Sequence, residues 1–194
     1  GEVVSPANLN GAGQIVIETT IEFPGRVRGV ASVCGGLSGF DYQPDPSDPR
    51  DAVADAQFGA ADAAAEAKDW ATLVELEARI WADGLAQPVG RCPANVRAKV
   101  VAMCLSNYAR MAPDGKPIRL NPPSAVRLHE INTPALIVLG DLDTRDTEAM
   151  AHAMASGIAG ARLVIMKGAA HLPSMEQPDV FNRALREWLT ACVN

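Results

Sequence analysis

The strongest signal in the pattern of apolar and polar positions lies in the last third of the chain. Ala135 to Gly140 (ALIVLG) is an unbroken apolar run. A strand in the middle of a parallel sheet is buried on both faces and reads this way, whereas a half-solvated strand alternates. Ala161 to Met166 (ARLVIM) repeats the pattern, so a second buried strand is expected there. Residues 146–158 between them read as a helix, and residues 177–192 after them as an amphipathic one. Strand, helix, strand, helix at this spacing predicts right-handed βαβ units and an α/β fold, with a mostly parallel sheet and helices on both faces.

The earlier part of the chain is more helical. Gly11-Ala12-Gly13 opens a helical stretch over 12–23, with Ile15, Ile17 and Ile21 among its apolar positions, and Pro24-Gly25 stops it. Val27 to Cys34 reads as a buried strand ending at Gly35-Gly36. Residues 2–7 fit a short strand that Pro6 confines to an edge or an end. A Pro/Asp-rich loop runs from Asp41 to Pro49. Residues 50–86 are helical in composition, and Trp70, Leu73, Leu76 or Glu77, Ile80 and Trp81 share one face. Pro93 marks another helix start, and residues 94–111 continue it with Val96, Val100, Met103 and Leu105. A connector with Pro113, Pro117, Pro122 and Pro123 follows. Residues 41–123 therefore read as a helical insertion between two strands of one sheet, with 1–40 and 124–194 forming the core.

Composition narrows the function classes. The 194 residues, 48% of them hydrophobic, suffice for one domain with a sizeable core. A net charge of −6 offers no basic footprint for nucleic acid. No apolar run approaches a membrane span, and the first residues have neither a basic nor an apolar leader pattern, so a cytoplasmic protein is expected. Cys34, Cys92, Cys104 and Cys192 are widely spaced and lack metal-site spacing, which predicts packed thiols. The chain has no phosphate loop, nucleotide fingerprint or metal cluster in its sequence, so no cofactor and no metal are expected.

In open α/β sheets, functional groups gather at the carboxyl ends of the strands. Two such ends carry ionisable residues: Gly140-Asp141-Leu142-Asp143 and Gly168-Ala169-Ala170-His171. An Asp that accepts from one imidazole nitrogen leaves the other as a base. Asp141 and Asp146 fit ordinary caps or turn formers, and His129 and His152 fit solvated or packed positions.

The stretch Ile131–Leu189 resembles the C-terminal end of an α/β-hydrolase. It has Thr133-Pro134, an apolar strand, Gly-x-x-Asp, a helix, a strand, Gly-x-x-His, and His171-Leu172-Pro173-Ser174-Met175-Glu176-Gln177-Pro178 before a last helix. Upstream, Glu22-Phe23-Pro24-Gly25-Arg26-Val27-Arg28-Gly29-Val30 is similar to the end of the helix after the nucleophile and the following strand. The resemblance implies Asp143 as triad acid, His171 as base and residues 41–123 as the lid. It also places the nucleophile turn at Asn8-Leu9-Asn10-Gly11-Ala12, with Asn10 in the nucleophile position and the Gly11 backbone N–H as oxyanion donor. A carboxamide is a poor nucleophile. The strands that precede this turn in the family are missing from the sequence, which implies a partial α/β-hydrolase fold whose open sheet edge is covered by a second copy or a complementing N-terminal fragment.

Three functional readings stay open. One is a hydrolase of esters or C–X bonds, present as a fragment or nucleophile-deficient variant. Another is a non-hydrolytic enzyme (an isomerase, cyclase or lyase) in which His171 and Asp143 perform general acid–base chemistry. The third is a binding protein on a decayed hydrolase scaffold. The substrate expected is small and apolar, lined by Phe40, Tyr42, Trp70, Trp81, Tyr108 and Met111 from the lid stretch.

Overall fold

The computed structural model describes residues 11–110 and 120–193. The expected strand 2–7, the turn around Asn10, and Met111 with Pro113 and Pro117 lie outside the described residues. Within them, three parallel strands form a sheet: β1 (Val30–Val33), β2 (Ala135–Gly140) and β3 (Arg162–Met166), in the order β1-β2-β3. Val30 pairs with Ala135 and Ile137 with Leu163, so β2 is central. Every residue of β2 is buried, as its unbroken apolar run requires.

The alternation along β2 sorts the core into two layers. Ile137 and Leu139 pack with Ile17 and Ile21 of α1 (Gly11–Glu22), and with Met150 and Met154 of a later helix (Arg145–Gly157). Leu136 and Val138 face the other way, onto Trp188, Phe181 and Leu185 of the C-terminal helix (Pro178–Val193). The result is helices on both faces of a parallel sheet. Gly13 of α1 lies against the end of β1, where a Cβ would come 2.2 Å from the Gly35 Cα, so only glycine permits this approach.

Two strand expectations change. β1 is shorter than Val27–Cys34, because a 3₁₀ turn at Pro24–Arg26 delays it and Cys34, at φ +48°, ends it. β3 is not buried throughout: only Met166 is, and Ile165 is 41% exposed. β3 pairs with β2 alone among the described residues, so its apolar residues answer to edge surroundings.

Between β1 and β2 the chain forms α2 (Pro49–Glu66), α3 (Trp70–Glu77), a π-helical turn (Ala78–Asp83) and α4 (Ala94–Tyr108). The helical composition over 50–86 is realised as separate pieces. Lys68 takes φ +56°, and the Asp69 carboxylate accepts from the Thr72 N–H at 3.1 Å to start α3. The π turn adds a residue to the repeat, and Leu73, Ile80 and Trp81 all reach one core with Ala61, Ala64 and Leu85. Glu77, not Leu76, occupies the fully buried position between them. In α4, Val96 and Val100 are buried, whereas Met103 and Leu105 face out. Following the chain, the remaining helices are α5 (Arg145–Gly157), α6 (Pro173–Glu176) and α7 (Pro178–Val193).

Candidate active site

Asp143 and His171 arrive at one place because β2 and β3 are hydrogen-bonded neighbours. The loops that leave them stay in contact: Asp141 N donates to Met166 O at 3.2 Å, and Leu142 N to Ala169 O at 2.9 Å. Gly140 makes this possible, since a Cβ there would sit 2.0 Å from the Ala170 carbonyl oxygen. Asp141, expected as a local cap or turn former, instead accepts from the Gly168 N–H at 2.6 Å and ties the two loops together.

The pair itself is close and enclosed. His171 Nδ1 lies 2.9 Å from Asp143 Oδ2 and 3.0 Å from Oδ1. The Asp143 side chain is 1% exposed and the His171 side chain 10%. Asp143 Oδ1 also accepts from Thr144 N at 2.8 Å. A carboxylate can only accept, so Nδ1 carries the imidazole proton and Nε2 is left as the basic nitrogen. Burial pushes the His171 pKa down, but the charge and hydrogen bond of Asp143 outweigh it and hold it above the usual histidine value.

Other groups frame the imidazole. The Trp81 ring lies 4.7 Å from it at 53°, and Trp81 O accepts the His171 backbone N–H at 3.2 Å. Cys34, Asp143 and His171 offer ligand atoms within 4.8 Å of one another, the one set of this kind among the described residues. Burial, and then the Asp143 charge, push the Cys34 thiol well above its ordinary pKa, and His171 Nδ1 already faces Asp143. This chemistry suits a packed thiol beside a hydrogen-bonded dyad better than a metal centre.

Comparison with known proteins identifies the architecture. No protein-family model and no curated protein matches the sequence. Solved structures do. A thermophilic esterase from Thermogutta terrifontis superposes with a TM-score of 0.63 at 21% identity, over 93% of this chain and 62% of that one. The enol-lactonase from Burkholderia xenovorans LB400 gives 0.60 at 19%, over 93% and 63%. Proline iminopeptidase from Mycobacterium smegmatis gives 0.57 at 16%, over 93% and 62%. The chain has the α/β-hydrolase fold. It spans under two thirds of the length of these structures.

Within that fold the expected lining residues separate. Tyr42 borders a cavity of about 390 Å³ together with Phe58, Leu85, Thr144 and Arg145. Its hydroxyl donates to Asp51 at 2.5 Å. Phe58, which sequence reasoning missed, packs 5.7 Å from Trp81 and so links this cavity to His171. Trp70 stacks on Tyr108 at 5.1 Å, and Tyr108 donates to the buried Glu77 carboxylate, inside the insertion. Phe40 packs against the core layer to which α1 and α5 contribute. Gly11 is the first residue of α1, directly after Asn10 in sequence. No helix among the described residues is long and apolar enough to cross a membrane.

Sequence reasoning also missed Arg50, Arg91 and Glu176. Glu176 stands in the quoted segment after His171, so its register was visible there although its role was not. The arginines had no signal beyond their charge.

Proposed function

We propose that the chain is the acid–base and lid-bearing part of a hydrolase for small apolar esters, or chemically related substrates with a C–X bond. The observation that carries this reading is the 2.9 Å Asp143–His171 contact at the ends of two adjacent strands, which leaves Nε2 as a base. Residues 41–123 act as the lid and the rest as the core. The solved structures that share the fold include an esterase, an enol-lactonase and a carboxylesterase, which supports the reaction class.

The packing of α1 also supports it. α1 begins at Gly11, and its Gly13 packs on Gly35, next to Cys34, whose sulfur neighbours both Asp143 and His171. The Gly11 N–H thereby lies in the first turn of α1, the positively polarised end of that helix, and Asn10 directly precedes it in sequence. Asn10 supplies no good nucleophile, so hydrolysis by this chain is weak until that position is changed.

The experiment is hydrolysis of p-nitrophenyl acetate and butyrate by the chain and by Asn10→Ser. Asn10→Ser should raise turnover, and adding His171→Ala should abolish the gain. No gain from Asn10→Ser in a folded protein would refute the assignment of position 10.

Asn10 itself favours a second reading, in which the pair performs proton transfer without covalent attack, as in an isomerase, cyclase or lyase. There, His171→Ala removes turnover of a bound substrate while Asn10→Ala does not. β1 and β3 are the edges of the sheet among the described residues, and a second copy covering one of them is tested by size-exclusion chromatography. Elution as a monomer would contradict it.

A further inference from the structure

We propose that Arg50 and Arg91, both in the segment between β1 and β2, are positioning residues that clamp the loops carrying Asp143 and His171. Each guanidinium has one part bound to the inserted segment and another to the core. Arg91 donates to Asp83 O at 2.5 Å and to Ala82 O at 2.6 Å, both in the π turn. It also donates to Gly168 O at 2.7 Å, three residues before His171, and pairs with Glu176 Oε2 at 2.6 Å. The other oxygen of Glu176 accepts the Ala170 N–H at 2.9 Å. A chain of bonds thus runs from Arg91 through Glu176 to the peptide that precedes His171. The Glu176 side chain is 2% exposed, so Arg91 is the cation that makes a buried carboxylate tolerable.

Arg50 does the same for the acid. From the first turn of α2 it donates to the main-chain oxygens of Asp143 at 2.9 Å and Asp141 at 3.4 Å, and pairs with Glu148 at 2.9 Å. Its Nε holds Asp48, the N-cap of its own helix, at 3.5 Å. Arginine suits both places because its planar fork donates in several fixed directions at once, which a lysine ammonium does not reproduce. The backbone of the insertion adds two supports: the His171 N–H bonds to Trp81 O, and a Cβ on Gly84 would come 2.8 Å from Leu142 O. The helical segment is therefore part of the frame of the Asp–His pair, and a movement that lifts it off the core loosens the pair.

The inference rests on the proposed acid–base role of the pair only for its effect on turnover. Its geometric part is read by NMR, independently of any substrate. In the unaltered chain the Asp143-bound Nδ1–H of His171 should give a low-field proton resonance. Arg91→Met should broaden or abolish it, and Arg50→Met should weaken it, in protein that keeps its circular dichroism. Arg91→Lys should restore it in part, because Lys reaches Glu176 without also holding Gly168 O and Ala82 O. Glu176→Gln should behave like Arg91→Lys, since an amide oxygen still accepts from Ala170 N. Should Arg91→Met fail to fold, the lysine and glutamine variants carry the test. Unchanged resonances in folded variants would overturn the clamp. In a chain made active at position 10, kcat should fall about ten- to a hundredfold in Arg91→Met with KM nearly constant, as expected for small misplacements of a reacting group. An equal loss through KM alone would assign Arg91 to substrate binding instead. An inactive chain with the NMR changes intact would refute the hydrolase reading and leave the clamp standing.

Discussion

The sheet core and the helical segment inserted into it stand on different physics. In the core, β2 is buried on both faces, its odd and even residues feed two opposite hydrophobic layers, and its carboxyl end delivers Asp143 within 2.9 Å of His171. Local pattern and global position agree there. The insertion is assembled from breaks in its own pattern: a positive φ at Lys68, a π turn at Ala78–Asp83, and a buried Glu77 among apolar neighbours. The turns that leave two regular strands carry Asp143 and His171, and a helix start, a π turn and a loop carry Arg50, Trp81 and Arg91, which contact those turns. The insertion reaches the pair through Trp81, Arg50 and Arg91, none of which belongs to the sheet.

The largest expected effect falls on the pair. His171→Ala, in a chain that turns over a substrate, should cost about 10²- to 10⁴-fold in kcat, the usual worth of a general base. Single-turnover kinetics would check it. Next comes the insertion's own core. Leu73→Ala should destabilise the protein by about 2–5 kcal/mol, since Leu73 is 1% exposed and surrounded by the α2–α3 cluster. If hydrogen exchange shows the insertion opening while β2 stays protected, the two regions are separable units; simultaneous opening would make them one.

Gly140→Ala is the matching change in the core. It should cost about 1–3 kcal/mol by overpacking against the Ala170 carbonyl. It should also separate Asp143 from His171, readable as a move of the histidine titration toward the free value. A smaller and pH-dependent effect is expected at Glu77. Burial pushes its pKa up, against the opposing hydrogen bonds from Tyr108 and Cys104. A carboxyl raised in the folded state contributes stability that is fully present below its unfolded pKa, near 4.5, and is lost as pH rises through the folded value. Urea midpoints of Glu77→Gln should therefore be flatter with pH across that window than those of the unaltered chain. The smallest effect belongs to Met103→Ser on the outward face of α4, within about 0.5 kcal/mol, because Met103 is 51% exposed.

The same division governs what was legible in the sequence. β2, α5, α7 and the meeting of Asp143 with His171 follow from apolar runs and strand-end residues, and the fold could be named from them. The sequence of β3 reads as buried because an apolar run does not say which strand lies at an edge. Within 50–86, a helical composition does not locate the break that Lys68 at positive φ and the Asp69 cap impose. Phe58 was overlooked because a single aromatic on an alanine-rich helix carries no periodic signal, yet it joins the Tyr42 cavity to Trp81. Arg50 and Arg91 bind main-chain oxygens more than 70 residues away, at Asp143 and Gly168, and no local pattern encodes such partners.

Asp143 and His171 are proposed to act as an acid–base pair, and their 2.9 Å contact carries that reading. It is tested most directly by titrating the His171 imidazole by NMR in the unaltered chain and in Asp143→Asn. The Asp143 carboxylate raises the His171 pKa above 6.5 against the opposing effect of burial. The neutral, basic imidazole should therefore appear only as pH rises through that raised value. The midpoint should lie above 6.5 in the unaltered chain and fall in Asp143→Asn, where burial is no longer opposed by the Asp143 charge. A midpoint at the free-histidine value that ignores the substitution would contradict it.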